Sequence, residues 1–161
     1  MDVVIQQAKP EDEQAFVFLL QELSRFNRRH HPQTDSFDAV LRARVDRARW
    51  LFRASDPHQL ILMAKADGKN VGYALAVVDH PDPSNDNGTE LCGFLDEVYV
   101  EASMRGLGLG RQLIDYCLTW IRHQGARRVK LQMYDWNDHA RRVYEKWGFV
   151  QYAVSFEKDL D

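Results

Sequence analysis

The sequence predicts an α/β fold in which helices flank a mixed β-sheet, and two stretches carry this prediction. Residues 59–80 contain two apolar runs joined by Asp67-Gly68, which is the signature of a two-residue β-hairpin turn. Residues 94–135 contain a strand, a glycine-rich turn, a helix and a second strand, and a helical crossover of this kind makes its two strands a parallel pair. A sheet that holds both kinds of pairing is mixed.

The first half of the chain is predicted to form a strand, two helices and the hairpin. Residues 3–8 form the strand, and Pro10 with three following acidic residues begins a helix, because proline and acids suit a helix N-terminus. Apolar residues recur at helical spacing up to Phe26, and residues 27–36 interrupt the pattern. The second helix carries one apolar stripe of Phe37, Leu41, Val45, Ala48 and Phe52.

The second half begins with a polar loop at 81–88 and completes the element order βααβββαβαβ. Its elements are a strand at 89–101, a helix from the glycines to about His123 that Gly125 ends, a strand at 127–135, a short helix capped by Asn137 or Asp138 and ended by Gly148, and a terminal strand at 149–160. Because no repeat or domain boundary is visible, we expect a single domain over 1–161.

Composition excludes several functional classes. The 161 residues are 45% apolar and 28% charged, and the net charge of −3 gives no general attraction to nucleic acid. We expect no membrane segment and no secretory signal, hence a cytoplasmic protein. Cys92 and Cys117 make neither a disulfide framework nor a metal-site spacing, and His30-His31 has no matching ligands nearby, so no metal is expected.

Three glycines at alternate positions, Gly106, Gly108 and Gly110, lie between a predicted strand and a helix N-terminus. Glycine permits a positive φ and lets a ligand approach the backbone, and N–H groups at a helix start attract anions. A phosphate or pyrophosphate is therefore the expected ligand, and a ligand-free tight turn is the alternative. The sequence Arg111-Gln112-Leu113 after the glycines fits neither a P-loop nor the dinucleotide fingerprint.

The run from Arg105 to Gly110 matches R/Q-x-x-G-x-G/A, and on this motif the chain resembles the GNAT family of N-acetyltransferases. Residues 95–117 resemble the family's motif A, and residues 133–149 resemble its motif B, with a weaker similarity to the branch that acts on polyamines. The resemblance implies the GNAT fold with splayed parallel strands, acetyl-CoA as cosubstrate without a metal, direct transfer to an amine, and a homodimer.

The resemblance also implies a set of cofactor-binding residues. Backbone N–H groups of the glycine loop would bind the pyrophosphate, the strand before it would pair with the pantetheine arm, and the N–H of Val98 or Val100 would bind the thioester oxygen. Asn137 would contact the cofactor, although a helix cap is its alternative role. The full set is Val98, Tyr99, Val100, Arg105, Gly106, Leu107, Gly108, Leu109, Gly110, Arg111 and Asn137.

Acetyl transfer to an amine needs a neutral amine, a stabilised oxyanion and a proton for the departing thiolate. The family's proton donor corresponds to Tyr144, two helical turns after Asn137, and a packing tyrosine is the alternative. The base is Glu97, slightly preferred, or Asp96, or a water chain. These adjacent acids point to opposite faces of a strand unless a bulge intervenes. The sequence contains no G-x-S-x-G elbow for a covalent route.

The function expected is acetylation of a small polyamine-like or amino-acid-like primary amine. Acetylation of a protein N-terminus or lysine is the alternative within the same chemistry, and a non-catalytic CoA-binding sensor or scaffold is the rival from another class. Arg42, Arg49 and Arg53 share one helix face, which is either solvated or a rim for an acidic substrate. A nucleic-acid-binding module built on that helix conflicts with the net charge.

Overall fold

The computed structural model describes residues 1–30, 36–82 and 88–160. Contacts divide the chain into two compact units, Met1–Leu131 and Gln132–Asp161. The predicted single domain over 1–161 stays a prediction. Parts of the predicted loops at 27–36 and 81–88, including His31, lie outside the described residues.

The first unit holds a five-stranded sheet in the order β1-β2-β3-β4-β5, antiparallel from β1 to β4 and parallel between β4 and β5. This confirms the predicted mixed sheet with helices around it. The elements are β1 (Val3–Gln7), α1 (Glu13–His30, after a 3₁₀ turn at Pro10–Asp12), α2 (Phe37–Arg53), β2 (Gln59–Ala66), β3 (Lys69–Asp79), β4 (Cys92–Val100), α3 (Leu109–His123) and β5 (Val129–Leu131). None of the described helices is long and apolar enough to cross a bilayer.

The hairpin between β2 and β3 turns at Asp67 and Gly68, whose φ values are 48° and 78°. Positive φ at both central residues is the geometry of a type I′ turn, which an Asp-Gly pair adopts readily. The predicted hairpin is therefore confirmed down to its turn residues.

Helices cover both faces of the sheet. On one face α1 and α2 form a core with the sheet, in which the Phe16 ring meets Tyr73 edge-on at 5.1 Å between centroids. On the other face lies α3, whose Ile121 packs so close to Gly93 that a Cβ at Gly93 would overlap the isoleucine side chain. Cys117 is fully buried in α3, where burial raises the pKa of its thiol to about 12.

Strand β4 changes face at a β-bulge. Leu95 lies opposite Ala76 and Glu97 lies opposite Leu75, so Asp96 is an extra residue with no partner on β3. Since side chains alternate along a strand, Gly93 and Glu97 would share a face without the bulge. With it, Gly93 faces α3 while Glu97 faces α2.

The predicted bounds of three elements were wrong. Strand β4 begins at Cys92 rather than at 89. Helix α1 continues to His30 instead of stopping at 27, because His30 packs on Phe26 and its Nδ1 lies 2.9 Å from the Phe26 carbonyl one turn earlier. Strand β5 covers three residues rather than the predicted 127–135.

The second unit contains α4 (Asp138–Lys146), which begins and ends as predicted. The Oδ1 of Asn137 accepts a hydrogen bond from the Ala140 N–H at 3.1 Å, and Gly148 follows the helix with φ 88°. The terminal strand predicted at 149–160 was wrong, because these residues have no regular secondary structure. The apolar side chains that alternate here are 62–95% exposed, namely those of Val150, Tyr152, Val154 and Phe156. Alternation of apolar residues alone was therefore not enough to form a strand.

The contact between Gly93 and Ile121 gives a test of how α3 lies on the sheet. Gly93→Ala should destabilise the protein by about 1–3 kcal/mol, because the added methyl overfills a packed interface. Ile121→Ala should itself cost about 2–5 kcal/mol. Urea unfolding of both single variants and the double variant should give a double loss smaller than the sum, and strict additivity would contradict the contact.

Candidate functional site

The glycine loop between β4 and α3 uses its glycines in two different ways. Gly106 and Gly108 have φ values of 80° and 82°, in the left-handed region that favours glycine. Gly110 lies in the first turn of α3 without a positive φ, and a Cβ there would meet Val100 Cγ2 at 4.0 Å, an ordinary contact. The first two glycines are therefore needed for the path of the chain, and Gly110 is not.

Helix α3 presents its N-terminus to this loop. Gly108 is the N-cap residue and no side chain caps the helix. The first N–H groups of any helix lack intrahelical partners and carry the positive end of its dipole. Leu109 is buried and anchors the start of α3, while Leu107 is 52% exposed. The backbone of the loop thus offers a site that suits an anion.

The side chains of the two arginines that border the loop are occupied within the protein. The Arg105 guanidinium lies 5.2 Å from the Phe26 ring centroid and 5.8 Å from that of Tyr99, and its Nε donates to the Val100 carbonyl at 3.0 Å. Arg111 Nε donates to the Asp115 carboxylate at 2.8 and 2.9 Å. Arg105 therefore holds the loop against β4 and α1.

The second half of β4 presents a strand edge. Within the first unit, β5 pairs with β4 only from Gly93 to Leu95, whereas β3 pairs with it up to Val100. The Glu101 N–H donates to the Val71 carbonyl on β3. Because N–H directions alternate along a strand, the N–H groups of Val98 and Val100 point away from β3. The resemblance implied one of these two donors for the thioester oxygen, and that role stays a prediction.

Glu97 is held in a partly buried network. Its Oε1 accepts from Arg44 Nη2 at 2.8 Å, and its Oε2 accepts from the Tyr73 hydroxyl at 2.6 Å. Arg44 Nε also donates to Ser24 Oγ at 2.7 Å. The Glu97 side chain is 11% exposed, and burial followed by the charge of Glu97 holds the pKa of Tyr73 well above its usual range. Both carboxylate oxygens of Glu97 are therefore engaged.

Asp96 has a different environment at the bulge. The residue remains open to solvent, yet neighbouring protein atoms desolvate its carboxyl group. Desolvation raises the pKa of Asp96, the positive charge of Arg47 opposes this rise, and the negative charge of Glu97 adds to it. A carboxylate with a raised pKa and access from solvent is suited to accept a proton.

Sequence reasoning missed the partners of Glu97, which are Arg44 and Tyr73. A signal for Arg44 was present, because this arginine lies one turn from Leu41 and Ala48 on the apolar side of α2. A charge at such a position indicates a buried partner. The sequence drew attention instead to the face of α2 that carries Arg42, Arg49 and Arg53. This face lies on a different side of the helix from Arg44, and its Arg53 pairs with Glu13 at 2.6 Å.

In the second unit, Tyr144 packs edge-on against Trp147 and Phe149, with centroid distances of 6.2 and 5.7 Å. Burial raises the pKa of its phenol, so the hydroxyl is protonated at neutral pH. Asn137 has the predicted cap role through its Oδ1, while its contact with a cofactor stays a prediction. Among the described residues, His, Cys, Asp and Glu side chains form no group of three that could hold a metal ion.

The chain is similar in sequence to two characterised kinds of acetyltransferase. A mycothiol acetyltransferase from Thermomonospora curvata is 39% identical over 102 residues, which cover 62% of this chain and 30% of that protein. An aminoglycoside N(6')-acetyltransferase type 1 from Stenotrophomonas maltophilia is 34% identical over 104 residues, which cover 63% of this chain and 67% of that protein. The chain thus spans less than a third of the mycothiol relative, and the names of these relatives mention mycothiol and aminoglycosides rather than polyamines.

The fold is similar to that of solved acetyltransferases. Aminoglycoside N-acetyltransferase AAC(6')-Iy in complex with CoA superposes with a TM-score of 0.73 at 21% identity, covering 98% of this chain and 95% of that chain. This likeness extends to the fold alone.

A family model decides the classification. The model described as "Acetyltransferase (GNAT) family" matches residues 17–149, which include the bulged strand, the glycine loop and α4. The chain therefore belongs to the GNAT family of acetyltransferases.

Proposed function

We propose that this chain transfers the acetyl group of acetyl-CoA directly to a primary amine of a small molecule. The observation that carries the proposal is the end of β4, where a solvent-accessible carboxylate at Asp96 directly precedes the outward N–H groups of Val98 and Val100. One short segment thus combines a proton acceptor with hydrogen-bond donors for an acyl oxygen.

The backbone fits the cosubstrate along its length. Pantetheine carries amide groups that can pair with the strand edge at Val98–Val100, and the pyrophosphate suits the N–H groups around Gly108 at the start of α3. Acetyl-CoA supplies the activated acyl group, a thioester. An N–H of Val98 or Val100 would stabilise negative charge on the thioester oxygen as the amine attacks.

We assign the base to Asp96 rather than Glu97, which was the slightly preferred choice from the sequence. Both oxygens of Glu97 accept hydrogen bonds, from Arg44 and Tyr73, so a proton taken there would disrupt a partly buried ion pair. Asp96 has the freedom to accept the ammonium proton, directly or through a water molecule. Tyr144, whose hydroxyl stays protonated, would donate to the departing thiolate.

The two kinds of glycine give a matched test of cosubstrate binding. Gly108→Ala should cost about 1–2 kcal/mol of stability because the residue is left-handed, and the displaced N–H groups should weaken acetyl-CoA binding. Gly110→Ala is the control, since its Cβ meets no close neighbour. Thermal unfolding with and without acetyl-CoA measures both effects. A ligand-induced rise in Tm that is equal in the two variants would refute the loop assignment.

The assignment of the base predicts a pH signature. Asp96→Asn should lower kcat/KM at neutral pH by about 10²–10⁴-fold and recover partly at high pH, where more amine is already neutral. The pKa of Asp96 is higher in the folded protein than in the unfolded chain, so the ionised carboxylate destabilises the folded state. This destabilisation grows as the pH rises from the unfolded pKa to the folded pKa. Asp96→Asn should therefore unfold at an equal or higher temperature than wild type at pH 7, and this advantage should vanish below about pH 3.9, the unfolded value.

Glu97→Gln is the comparison for that experiment. It should lose about 1–3 kcal/mol of stability, because Arg44 loses its charged partner, while keeping the acid limb of the pH–rate profile. A profile that loses its acid limb in Glu97→Gln and keeps it in Asp96→Asn would reverse the assignment. An unchanged limb in both variants would indicate a water chain.

Tyr144→Phe separates an enzyme from a CoA-binding sensor. The substitution keeps the ring contacts with Trp147 and Phe149 and removes only the hydroxyl. We expect kcat to fall by about 10²–10⁴-fold, the usual value of general acid catalysis, with the Kd of acetyl-CoA within about threefold. Stopped-flow thiol release and calorimetric titration measure the two quantities. Full turnover by Tyr144→Phe would make the tyrosine structural.

A further inference from the structure

Arg47 on α2 lies beside the proposed base. Arg44, three residues earlier, bonds to Glu97 at 2.8 Å, and residues three apart lie on one helix face about 5–6 Å from each other. The direction of α2 follows from its contacts with α1, since Arg44 meets Ser24 and Arg53 meets Glu13.

The end of α1 near Phe26 contacts Arg105, after the end of β4. Ser24 of α1 lies near that end, and Glu13 lies far from it along the helix. The step from Arg44 to Arg47 therefore runs back along β4, from Glu97 towards Asp96. Arg47 is also the cation whose charge acts most strongly on the Asp96 carboxyl group.

The guanidinium of Arg47 is exposed and forms no salt bridge with any residue in the described part of the chain. The neighbouring arginines are engaged. Arg44 pairs with Glu97, Arg25 pairs with Glu22 at 2.6 Å, and Arg105 lies over two aromatic rings. Arg47 is thus a positive charge available to a ligand at the position where the acceptor amine must approach Asp96.

Among the described residues, the charges that act most on the Asp96 carboxyl group are those of Arg47 and Glu97. Arg44 compensates Glu97, which leaves the carboxylate of Asp96 and the guanidinium of Arg47. An acceptor with an ammonium group and an oxyanion complements both, whereas a polycation would place excess positive charge against Arg47. A guanidinium fork also matches the oxygens of a carboxylate or phosphate in a bidentate geometry.

Resting on the acetyl transfer proposed above, we infer that Arg47 binds an oxyanion of the acceptor, so that the substrates of this chain are primary amines that carry a carboxylate or phosphate group. Of the two acceptor types that the sequence suggested, this selects the amino-acid-like amines over the polyamine-like ones. Arg47 sets the specificity, and Asp96 sets the protonation state of the amine.

Matched pairs of amines test the inference. L-lysine against cadaverine differs by a carboxylate, O-phosphoethanolamine against ethanolamine differs by a phosphate, and spermidine and kanamycin serve as polycations. Thiol release from acetyl-CoA by the wild-type chain should favour the anionic member of at least one pair over its partner and over both polycations. The pair that shows the preference identifies the oxyanion. Equal rates within both pairs, or a polycation as the best acceptor, would overturn the inference.

Arg47→Gln should raise KM for the preferred acceptor by about 10–100-fold, the value of charge-assisted hydrogen bonds, with kcat nearly unchanged. The same variant should leave the uncharged partner amine within about twofold, and Arg47→Lys should restore part of the loss. Arg42→Gln is the control, because Arg42 lies about 140° around the helix from Arg47.

The possible failures are distinguishable. If Arg47→Gln changes KM equally for both members of a pair, the proposed oxyanion site is wrong, while the proposed acetyl transfer is unaffected. Absence of thiol release with every amine, from a chain that still binds acetyl-CoA, overturns both proposals together.

Discussion

The arrangement of the site depends on the ion pair between Glu97 and Arg44. A carboxylate that is 11% exposed cannot remain ionised at low cost without donors, and here Arg44 and Tyr73 satisfy both of its oxygens. Arg44 comes from α2, Tyr73 from β3 and Glu97 from β4. One carboxylate thus links the helical layer to the neighbouring strands β3 and β4.

The bulge at Asp96 makes that ion pair geometrically possible. Without an extra residue, Glu97 would lie on the face of Gly93, where α3 packs closely enough to exclude even a methyl group. The bulge rotates Glu97 to the α2 side and leaves Asp96 outside the ladder. A structural carboxylate and a chemically available carboxylate therefore arise from one irregularity between two adjacent acids.

Local chemistry predicted most of the fold. The Asp67-Gly68 turn, the start of α3 at the glycine loop and the Asn137 cap each depend on residues within one turn of the chain, and the structure contains all three. The bulge was not predictable, because a bulge is defined by pairing with β3 and that pairing has no marker within residues 92–100. The hydrogen bonds of Glu97 were not predictable for the same reason, because its partner Arg44 is 53 residues away in sequence. The sequence therefore offered no reason to prefer Asp96 over Glu97 as the base.

The failure of the terminal strand at 149–160 has a related cause. Alternating apolar residues would place their side chains on one face of a strand. A strand forms, however, only when its backbone is hydrogen-bonded to a neighbouring strand. Helices need no such neighbour for their hydrogen bonds, and α4 matched its predicted limits within one or two residues. The type of element was thus predicted reliably where hydrogen bonds are local, although the end of α1 at His30 was missed.

The contrast between backbone features that local sequence determines and side-chain contacts between distant residues also applies to how acetyl-CoA and the acceptor are recognised. In the proposed function, the cosubstrate is bound by backbone groups, namely the outward N–H groups of β4 and the N-terminus of α3, and many sequences with this conformation can supply them. A fold shared at 21% identity is compatible with that mode of binding. In the inference drawn from Arg47, the acceptor instead meets side chains of α2, where Arg44 is bound to Glu97 and Arg47, one turn later, would bind the substrate. On these proposals, family membership informs on the cosubstrate, while the choice of acceptor would depend on individual side chains such as Arg47.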